Sequence, residues 1–217
     1  MSESASIVHL VDDDSSFLLS VSRLLRASGF AVKCFSTAED FLGQLASDPV
    51  TSGCVIVDLQ MPGLSGLDLQ EQMAKSGHLM PVIFLTGHGD IPSTVRAMRG
   101  GAEDFLTKRA SKQELLDAVN RALSRDKRER AERARLAGLR ERFDALTERE
   151  REVLAHVVQG KLNKQIAADL AIHERTVKLH RTGITTKLQV RSVAELTRLA
   201  QEAGVLQPPA NPFPKGK

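Results

Sequence analysis

The sequence predicts an α/β domain with a doubly wound parallel sheet, followed by a smaller domain made only of helices. In the first half of the chain, short apolar runs rich in β-branched residues alternate with segments of helical periodicity, as repeated βα units do. These runs are apolar almost throughout, which indicates strands covered on both faces of a sheet. Later segments show only helical patterns. The 217 residues suffice for two domains of about 100 residues each.

The first domain, assigned to residues 1–124, contains five predicted strands. They are placed at 7–11, 31–35, 54–57, 82–85 and 104–107. Capping boxes at Ser36/Glu39 and Ser111/Glu114 mark the starts of two helices. With strand order 2-1-3-4-5, strands two and three lie about 9.5 Å apart, too far for a disulfide between Cys34 and Cys54. We expect both cysteines to be buried.

A charged helix is predicted for residues 125–145, which are rich in Arg, Glu and Ala and contain no proline. We interpret it as a solvated linker that extends the last helix of the first domain. Leu136, Leu139 and Phe143 recur at helical spacing, so a partner-binding or dimerising coil is the alternative, although the segment is too short for several heptads.

The second domain, assigned to residues 146–206, opens with a capping box at Thr147/Glu150 and shows only helical periodicity. Residues 207–217 contain four prolines and are predicted to be unstructured.

Charge divides the chain into an acidic and a basic part. Residues 1–124 hold 15 acidic and 10 basic side chains, and residues 125–217 hold 12 and 20, which gives net charges of −5 and +8. Such a distribution indicates different partners for the two parts. The acidic part is expected to bind cations or to carry out phosphoryl chemistry, and the basic part to bind a polyanion. The chain lacks Trp and Tyr, which argues against a row of base-stacking aromatics. No apolar run approaches a membrane span and no secretory signal is evident, so a cytoplasmic location is expected.

Acidic, hydroxyl and amine groups follow the predicted strands at their carboxyl ends, where doubly wound sheets gather functional residues. Asp12 and Asp13 follow the first strand, Asp58 the third, Thr86 the fourth and Lys108 the fifth. With strand order 2-1-3-4-5, the three carboxylates converge and require a cation, for which their hard oxygens favour Mg²⁺.

In this arrangement Asp58 can attack a phosphoryl group, while Lys108 and the metal neutralise its oxygens and Thr86 offers a hydroxyl. Each feature has a simpler explanation when taken alone: an aspartate run as helix cap, a solvated lysine, or a threonine in a turn. Their combination at four strand ends, with complementary charge, favours the phosphoryl site.

The second domain contains a helix-turn-helix pattern. A helix ending at Gly160 precedes a short helix capped by Asn163 and a longer helix from Glu174, and apolar residues such as Ile166 and Val177 lock the last two together. The candidate DNA contacts, to base edges and phosphates, are Lys164, Thr176, Lys178, Leu179, Arg181, Thr182, Lys187 and Arg191. An ordinary helical bundle with a basic face is the alternative, but the net charge and the motif agree on DNA.

Residues 5–124 resemble the receiver domain of response regulators, a flavodoxin-like fold. The motifs are VDDD at 11–14, VDLQMPGLSG at 57–66, LTGHGD at 85–90 and FLTK at 105–108, and TGHGD is similar to the FixJ subgroup of the FixJ/NarL class. The resemblance implies that Asp58 is the phosphoacceptor, and that Asp13, Asp58 and the backbone carbonyl of Gln60 bind Mg²⁺, with Asp12 acting partly through water.

The same resemblance implies that Thr86 and Lys108 contact the phosphoryl group. Phe105 matches an aromatic whose rotation accompanies the movement of Thr86, although a buried core phenylalanine also fits this position. The family usually has Lys-Pro with a cis peptide where this chain has Lys108-Arg109. Because a non-proline cis bond costs about 3–4 kcal/mol, we expect a trans bond and a rearranged loop.

The second domain resembles the LuxR-type DNA-binding domain, with LTEREREVL at 146–154, NKQIAADL at 163–170 and KL at 187–188. The resemblance implies four helices, of which the third enters the major groove and the fourth, from Ser192 to about Ala203, dimerises on DNA. This chain departs from the pattern at two positions. His173 replaces the usual capping serine, and Gly183 interrupts the recognition helix at a cost of about 1 kcal/mol relative to alanine.

The predicted function is a DNA-binding transcription regulator of a two-component system that a histidine kinase phosphorylates on Asp58 and that dimerises when phosphorylated. It is not an enzyme beyond self-catalysed phosphoryl transfer and hydrolysis at Asp58. One alternative, raised by Arg109, is a DNA-binding regulator whose receiver domain does not switch. Another is a Mg²⁺-dependent phosphohydrolase of the DxD type, disfavoured because Asp58-Leu59-Gln60 lacks the second carboxylate.

Overall fold

The computed structural model describes residues 6–47, 52–87 and 90–205. The chain divides into two compact units, Met1–Arg130 and Ala131–Lys217. The tail predicted to be unstructured, 207–217, lies outside the described residues. Of the helices described, none combines the length and apolar character that crossing a membrane requires.

The first unit is built on a five-stranded sheet. Its strands are β1 (Ile7–Val11), β2 (Ala31–Phe35), β3 (Gly53–Val57), β4 (Val82–Thr86) and β5 (Asp104–Thr107). The order is β2-β1-β3-β4-β5 and every neighbouring pair is parallel. The predicted fold class and strand order are therefore confirmed.

Helices cover both faces of this sheet. They are α1 (Ser15–Ala27), α2 (Ala38–Ser47), α3 (Gly66–Lys75), α4 (Ile91–Arg99) and α5 (Lys112–Asp144). One buried cluster joins the sheet to residues of α2, α3 and α4, and a second joins its other face to residues of α1 and α5. Burial of apolar surface on both faces explains why β3 and β4 are apolar along their whole length.

The segment predicted as a charged helix, 125–145, forms the C-terminal part of α5 and is helical up to Asp144. Two of its apolar residues, Leu139 and Phe143, are buried in the hydrophobic core of the second unit. The helical spacing of these residues therefore serves the packing of that unit.

The cysteines differ in burial. Cys54 on β3 is buried as expected, but Cys34 on β2 is exposed, so that expectation was wrong. The reason is that β2 is one of the two edge strands of the sheet, with a single strand neighbour. Neither cysteine forms a disulfide.

Two of the predicted capping boxes are present. Ser111 N donates to the Glu114 carboxylate at 2.7 Å, and Glu114 N donates to Ser111 Oγ at 3.2 Å. The same reciprocal pair joins Thr147 and Glu150. Each box satisfies backbone N–H groups that have no partner within the helix.

The capping box predicted at Ser36/Glu39 was wrong. Helix α2 begins at Ala38, and the Oγ1 of Thr37 accepts a hydrogen bond from Asp40 N at 3.1 Å. The Glu39 carboxylate instead accepts from Leu64 N at 3.3 Å, in the loop that follows β3. A long-range contact thus takes the carboxylate that the local pattern assigned to the cap.

The second unit contains α6 (Glu148–Val158), α7 (Asn163–Asp169), α8 (Glu174–Leu188) and α9 (Val193–Glu202), together with the end of α5. The all-helical prediction is confirmed, and Ile166 and Val177 are fully buried between α7 and α8 as expected. The prediction that Asn163 caps α7 was wrong, because Leu162 occupies the N-cap and donates its N–H to Gln165 Oε1 at 2.8 Å.

Two glycines of the first unit differ in the space available for a side chain, and this difference gives a test of the fold. Gly53 starts β3 with φ +133°, and a Cβ there would lie 1.8 Å from Ile7 O, whereas a Cβ on Gly43 in α2 would meet nothing within 4 Å. We expect Gly53→Ala to lower the free energy of unfolding by about 1–3 kcal/mol or more. Gly43→Ala should raise it by about 0.5–1 kcal/mol, as alanine does within a helix.

Urea-induced unfolding of the first unit, followed by circular dichroism, measures both effects. Changes of the same sign and size in the two variants would contradict the described start of β3.

Candidate functional site

The ends of β1 and β3 bring three carboxylates together. Asp58 N donates to Val11 O at 3.0 Å, which aligns the residues that follow the two strands. Carboxylate oxygens of Asp12, Asp13 and Asp58 all lie within 4.8 Å of one another. The structure therefore confirms that the three side chains converge.

The three carboxylates differ in their environment. Asp12 and Asp58 are buried, with 1% and 7% of their surface exposed, whereas Asp13 is exposed. Burial raises the pKa of Asp12 above its ordinary value, although hydrogen bonds from Lys108 and Asp14 N act against this shift. The third aspartate of the run, Asp14, caps α1 by accepting from Ser16 N and Phe17 N, so for that residue the simpler explanation holds.

Lys108 joins the two buried carboxylates. Its Nζ lies 2.6 Å from Asp12 Oδ2 and 2.8 Å from Asp58 Oδ2. Burial acts to lower the pKa of Lys108, but the hydrogen bonds and charges of both aspartates outweigh it, and the pKa is raised. Nζ also lies 4.4 Å from the centre of the Phe17 ring, a cation–π contact. Sequence reasoning missed Phe17, because only the folded chain shows that α1 carries this ring to the lysine.

The loop after β5 holds Lys108 without a proline. The Lys108-Arg109 peptide bond is trans, as expected. Lys108 N donates to Thr86 O at 2.8 Å, and Ala110 N donates to Thr107 O at 2.9 Å. These backbone bonds fix the start of the lysine side chain close to the end of β4.

Thr86 and Phe105 lie on neighbouring strands. Thr86 is the last residue of β4 and is buried. Phe105 on β5 pairs in register with Phe84, and the two rings stack with centroids 5.8 Å apart. Phe105 is half-buried against the apolar core, so its position suits both core packing and the predicted rotation.

The loop between β3 and α3 closes tightly over the end of β3. Gln60 N lies 3.4 Å from Asp58 Oδ1, while the Gln60 side chain is exposed. A Cβ on Gly66 would lie 2.3 Å from Asp58 O, so this close approach of helix α3 requires glycine. The sequence motif contains Gly66, but its spacing does not reveal the contact. The ligand role of the Gln60 carbonyl stays a prediction.

This donor set fits a hard divalent cation. Asp12, Asp13 and Asp58 offer carboxylate oxygens, which Mg²⁺ and Ca²⁺ prefer. Lys108 neutralises one of the three negative charges, so the cluster retains excess negative charge when all three aspartates are ionised. The acidic cluster is thus a candidate metal site.

The second unit presents α8 as a candidate surface for DNA. Lys178, Leu179 and Thr182 are exposed, and 69% of the Leu179 surface is accessible. Arg181 is half-buried and donates through Nη1 to Asn163 Oδ1 at 2.9 Å, which links α8 to α7. Thr176 is also half-buried.

Three candidate contacts remain: Lys164, Lys187 and Arg191. Lys164 in α7 and Arg191 after α8 are exposed. Lys187 instead pairs with Glu150, at 2.7 Å between Nζ and Oε2. Sequence reasoning used Glu150 only as a cap and missed this pair, because 37 residues separate its members.

Helix α8 passes through Gly183 without interruption. A Cβ at this position would lie 2.6 Å from Glu150 Oε1. Packing therefore accounts for a residue that costs a helix about 1 kcal/mol relative to alanine. His173 occupies the N-cap of α8 and makes no capping hydrogen bond through its side chain.

Comparison with known proteins agrees with both parts of the structure. The family described as "Response regulator receiver domain" matches residues 8–120. The family described as "Bacterial regulatory proteins, luxR family" matches residues 144–200. Together these matches cover most of the chain.

Several relatives match this chain over most of their own length. The chain is 42% identical over 201 residues to the response regulator protein TodT of Pseudomonas putida, covering 93% of this chain and 88% of TodT. It is 39% identical over 197 residues to the transcriptional regulatory protein FixJ of Rhizobium meliloti, covering 91% and 96%. Among solved structures, the response regulator StyR is 43% identical with a TM-score of 0.85, covering 92% of this chain and 100% of StyR.

The charge balance of the acidic cluster gives a second test. We expect Lys108→Met to lower the free energy of unfolding by about 1–3 kcal/mol when divalent cations are chelated, because it leaves buried carboxylates unpaired. Adding Mg²⁺ should restore part of the loss, since a ligand of the folded state stabilises it. Lys75→Met is the matched control: Lys75 forms an exposed ion pair with Glu71, so the change should be below about 0.5 kcal/mol.

Chemical denaturation of the wild type and of both variants, in EDTA and in MgCl₂, gives the change in free energy of unfolding for each variant under each condition. A Lys108→Met protein as stable as the control in EDTA would show that Lys108 does not balance the cluster.

Proposed function

This chain belongs to the response-regulator family, as a two-component transcription regulator with a receiver domain and a LuxR-type DNA-binding domain, and from that membership we propose that phosphorylation of Asp58 controls its binding to double-stranded DNA. The observation that carries the proposal is the pair of buried carboxylates, Asp12 and Asp58, bridged by the ammonium of Lys108. The functional division we propose is a phosphoacceptor domain at 1–124, a linker at 125–145 and a DNA-binding domain at 146–206.

The phosphoryl donor is a phosphohistidine of a sensor histidine kinase. A carboxylate oxygen of Asp58 attacks the phosphorus, the new O–P bond forms as the P–N bond breaks, and the electron pair leaves with the imidazole nitrogen, which takes up a proton. Lys108 neutralises charge on the transferred group, and the hydroxyl of Thr86 donates to one of its oxygens.

Asp12, Asp13 and Asp58, with the backbone carbonyl of Gln60, would hold Mg²⁺ in this reaction. When bound, the ion supplies further neutralisation of the phosphoryl oxygens. Within the protein, the buried Asp12 keeps Lys108 directed at Asp58, because Nζ contacts both carboxylates. Asp12 would act on the ion partly through water. The same site hydrolyses the acyl phosphate, and we propose no other enzymatic activity.

The switch passes through β4 and β5. A phosphoryl group on Asp58 draws Thr86 towards it, and the space that Thr86 leaves allows the Phe105 ring to rotate inward. The half-buried state of Phe105, stacked on Phe84, supports such a two-position ring.

Helix α4 supports dimerisation of the phosphorylated form. Ile91, Val95 and Met98 are exposed, at 80%, 42% and 47%, and their spacing places them along one stripe of the helix. An exposed apolar stripe of this kind marks a contact surface. We propose that a second copy of the chain covers it and that the dimer binds two half-sites on DNA.

In the DNA complex, α8 lies in the major groove as the recognition helix. The residues of α8 that face the base edges are Lys178, Leu179, Arg181 and Thr182. Lys164, Thr176 and Arg191 contact phosphates. The protein must meet both the phosphohistidine of its kinase and bacterial DNA. We therefore propose that it acts in the cytoplasm.

The phosphoacceptor can be tested with acetyl phosphate and Mg²⁺. We expect Asp58→Asn to abolish the mass gain of one phosphoryl group, together with any donor-dependent dimerisation and gain in DNA affinity. Asp40→Asn, which alters an exposed carboxylate in α2, should behave as wild type. Intact-protein mass, light scattering and fluorescence anisotropy are the readouts, with duplexes selected by the wild-type protein from a randomised library.

Two results would favour the alternatives. If DNA affinity and oligomeric state ignore both the phosphodonor and Asp58→Asn, the receiver domain does not switch. Sustained turnover of a small phosphomonoester, in place of a stoichiometric phosphoprotein, would indicate a phosphohydrolase.

A further inference from the structure

We propose that Glu150 and Lys187 form a clamp that sets the position of α8 for DNA recognition, so that Lys187 is a positioning residue and not a phosphate contact. The inference rests on the proposed DNA-binding function and refines it, since Lys187 was among the cations expected to bind DNA. Glu150, Lys187 and Gly183 make the contacts that form the clamp.

The carboxylate of Glu150 is buried and held from two sides. Only 7% of Glu150 is exposed. Oε2 accepts from Thr147 N at 2.7 Å and from Thr147 Oγ1 at 3.0 Å, both at the start of α6. The same oxygen accepts from Lys187 Nζ at 2.7 Å, in the last turn of α8. One carboxylate thus connects the start of α6 to the end of the candidate recognition helix.

Lys187 is committed to this connection. Besides Glu150, its Nζ donates to Ala145 O at 3.2 Å, in the turn before α6. Lys187 is exposed, with 37% of its side chain accessible, and so are the other expected phosphate-binding cations, Lys164 and Arg191. Among the described residues, Lys164 and Arg191 have no ion-pair partner, whereas Lys187 has Glu150. A phosphate bound by Lys187 would have to compete with a buried carboxylate and a carbonyl, whereas Lys164 and Arg191 face no such competition.

Gly183 shows that the clamp is built into α8. Residues 183 and 187 are four apart and so lie on the same side of the helix. The second oxygen of Glu150, Oε1, lies where a Cβ on residue 183 would approach to 2.6 Å. Oε2 is held by Thr147 and Lys187, so a shift of the carboxylate away from α8 would strain those hydrogen bonds. Glycine, a poor helix former, therefore gives the carboxylate its place against α8.

A positioning role and a phosphate contact differ in their dependence on salt. Removing one phosphate contact reduces the slope of log affinity against log salt by about 0.9 per subunit, and it weakens binding to all sequences alike. Displacing the recognition helix instead removes contacts to base edges, which depend on geometry, and leaves the counterion term unchanged.

The test uses the full chain treated with acetyl phosphate and Mg²⁺. Two duplexes serve as probes: one selected by the wild-type protein from a randomised library, and a scrambled version of the same composition. The variants are Lys187→Met, Gly183→Ala and the near-isosteric Glu150→Gln, with Lys164→Met as the phosphate-contact control. Circular dichroism melting sets a temperature at which every variant compared is folded, so that lost stability alone does not change the affinity.

We expect Lys187→Met and Gly183→Ala to weaken binding to the selected duplex by about tenfold or more, with little change for the scrambled duplex and no change in salt slope. Glu150→Gln should weaken it less, because the amide retains part of the hydrogen bonding. Lys164→Met should weaken both duplexes and reduce the salt slope by about 0.9 per subunit.

Gly183→Ala is the decisive variant, since it removes no charge and improves the helix propensity of α8. Full affinity in Gly183→Ala would overturn the clamp, as would a salt slope in Lys187→Met that falls as far as in Lys164→Met. If Lys187→Met does not fold, Gly183→Ala and Glu150→Gln decide the question by the same criteria. Failure of the wild-type protein to bind any duplex would overturn the proposed function, and with it the role of the clamp in recognition.

Discussion

The contact of one ammonium with two buried carboxylates underlies the chemistry of the first unit. Carboxylates of Asp12, Asp13 and Asp58 within 4.8 Å of one another repel when ionised. Lys108 cancels one negative charge and holds two of the groups in place. The remaining negative charge suits a hard cation, while the lysine is close enough to Asp58 to meet an anion there.

The parallel sheet is what makes this contact possible. The register of β1 and β3 places the residues after them side by side, so Asp12 and Asp58 become neighbours although 46 positions apart in the sequence. Lys108 follows β5, which β4 separates from β3. Only a long side chain reaches from the end of β5 to Asp58. The backbone N–H of Lys108 donates to Thr86 O, which holds the lysine at the end of β4. The order of strands therefore decides how long a side chain must be, at the carboxyl end of each strand, to reach the acidic cluster.

Features that depend on local pattern and chain order were predictable from sequence. The strands follow from the apolar runs, and the polar groups after them follow the rule that functional residues collect at strand ends. From sequence alone the strand order is a condition consistent with the receiver-domain resemblance, and the convergence of the aspartates depends on it. Long-range contacts were not predictable. Cys34 lies in a strand with an apolar pattern but at the edge of the sheet, and Glu39 bonds a distant loop instead of capping its own helix. Lys187 is an exposed cation whose pairing with Glu150, 37 residues away, only the fold shows.

The two lysines show how charge balance separates a reactive site from a structural one. Both bind buried acids at similar distances, 2.6–2.8 Å for Lys108 and 2.7 Å for Lys187. Around Lys108 the acids outnumber the base, so the group retains the capacity to bind a cation and to take part in phosphoryl transfer. Around Lys187 one acid meets one base, and Thr147 and Ala145 satisfy further hydrogen bonds. A neutral and satisfied pair gains little from a ligand, and breaking it leaves a buried charge unpaired. Its contribution is therefore the fixed geometry of the helices that it joins.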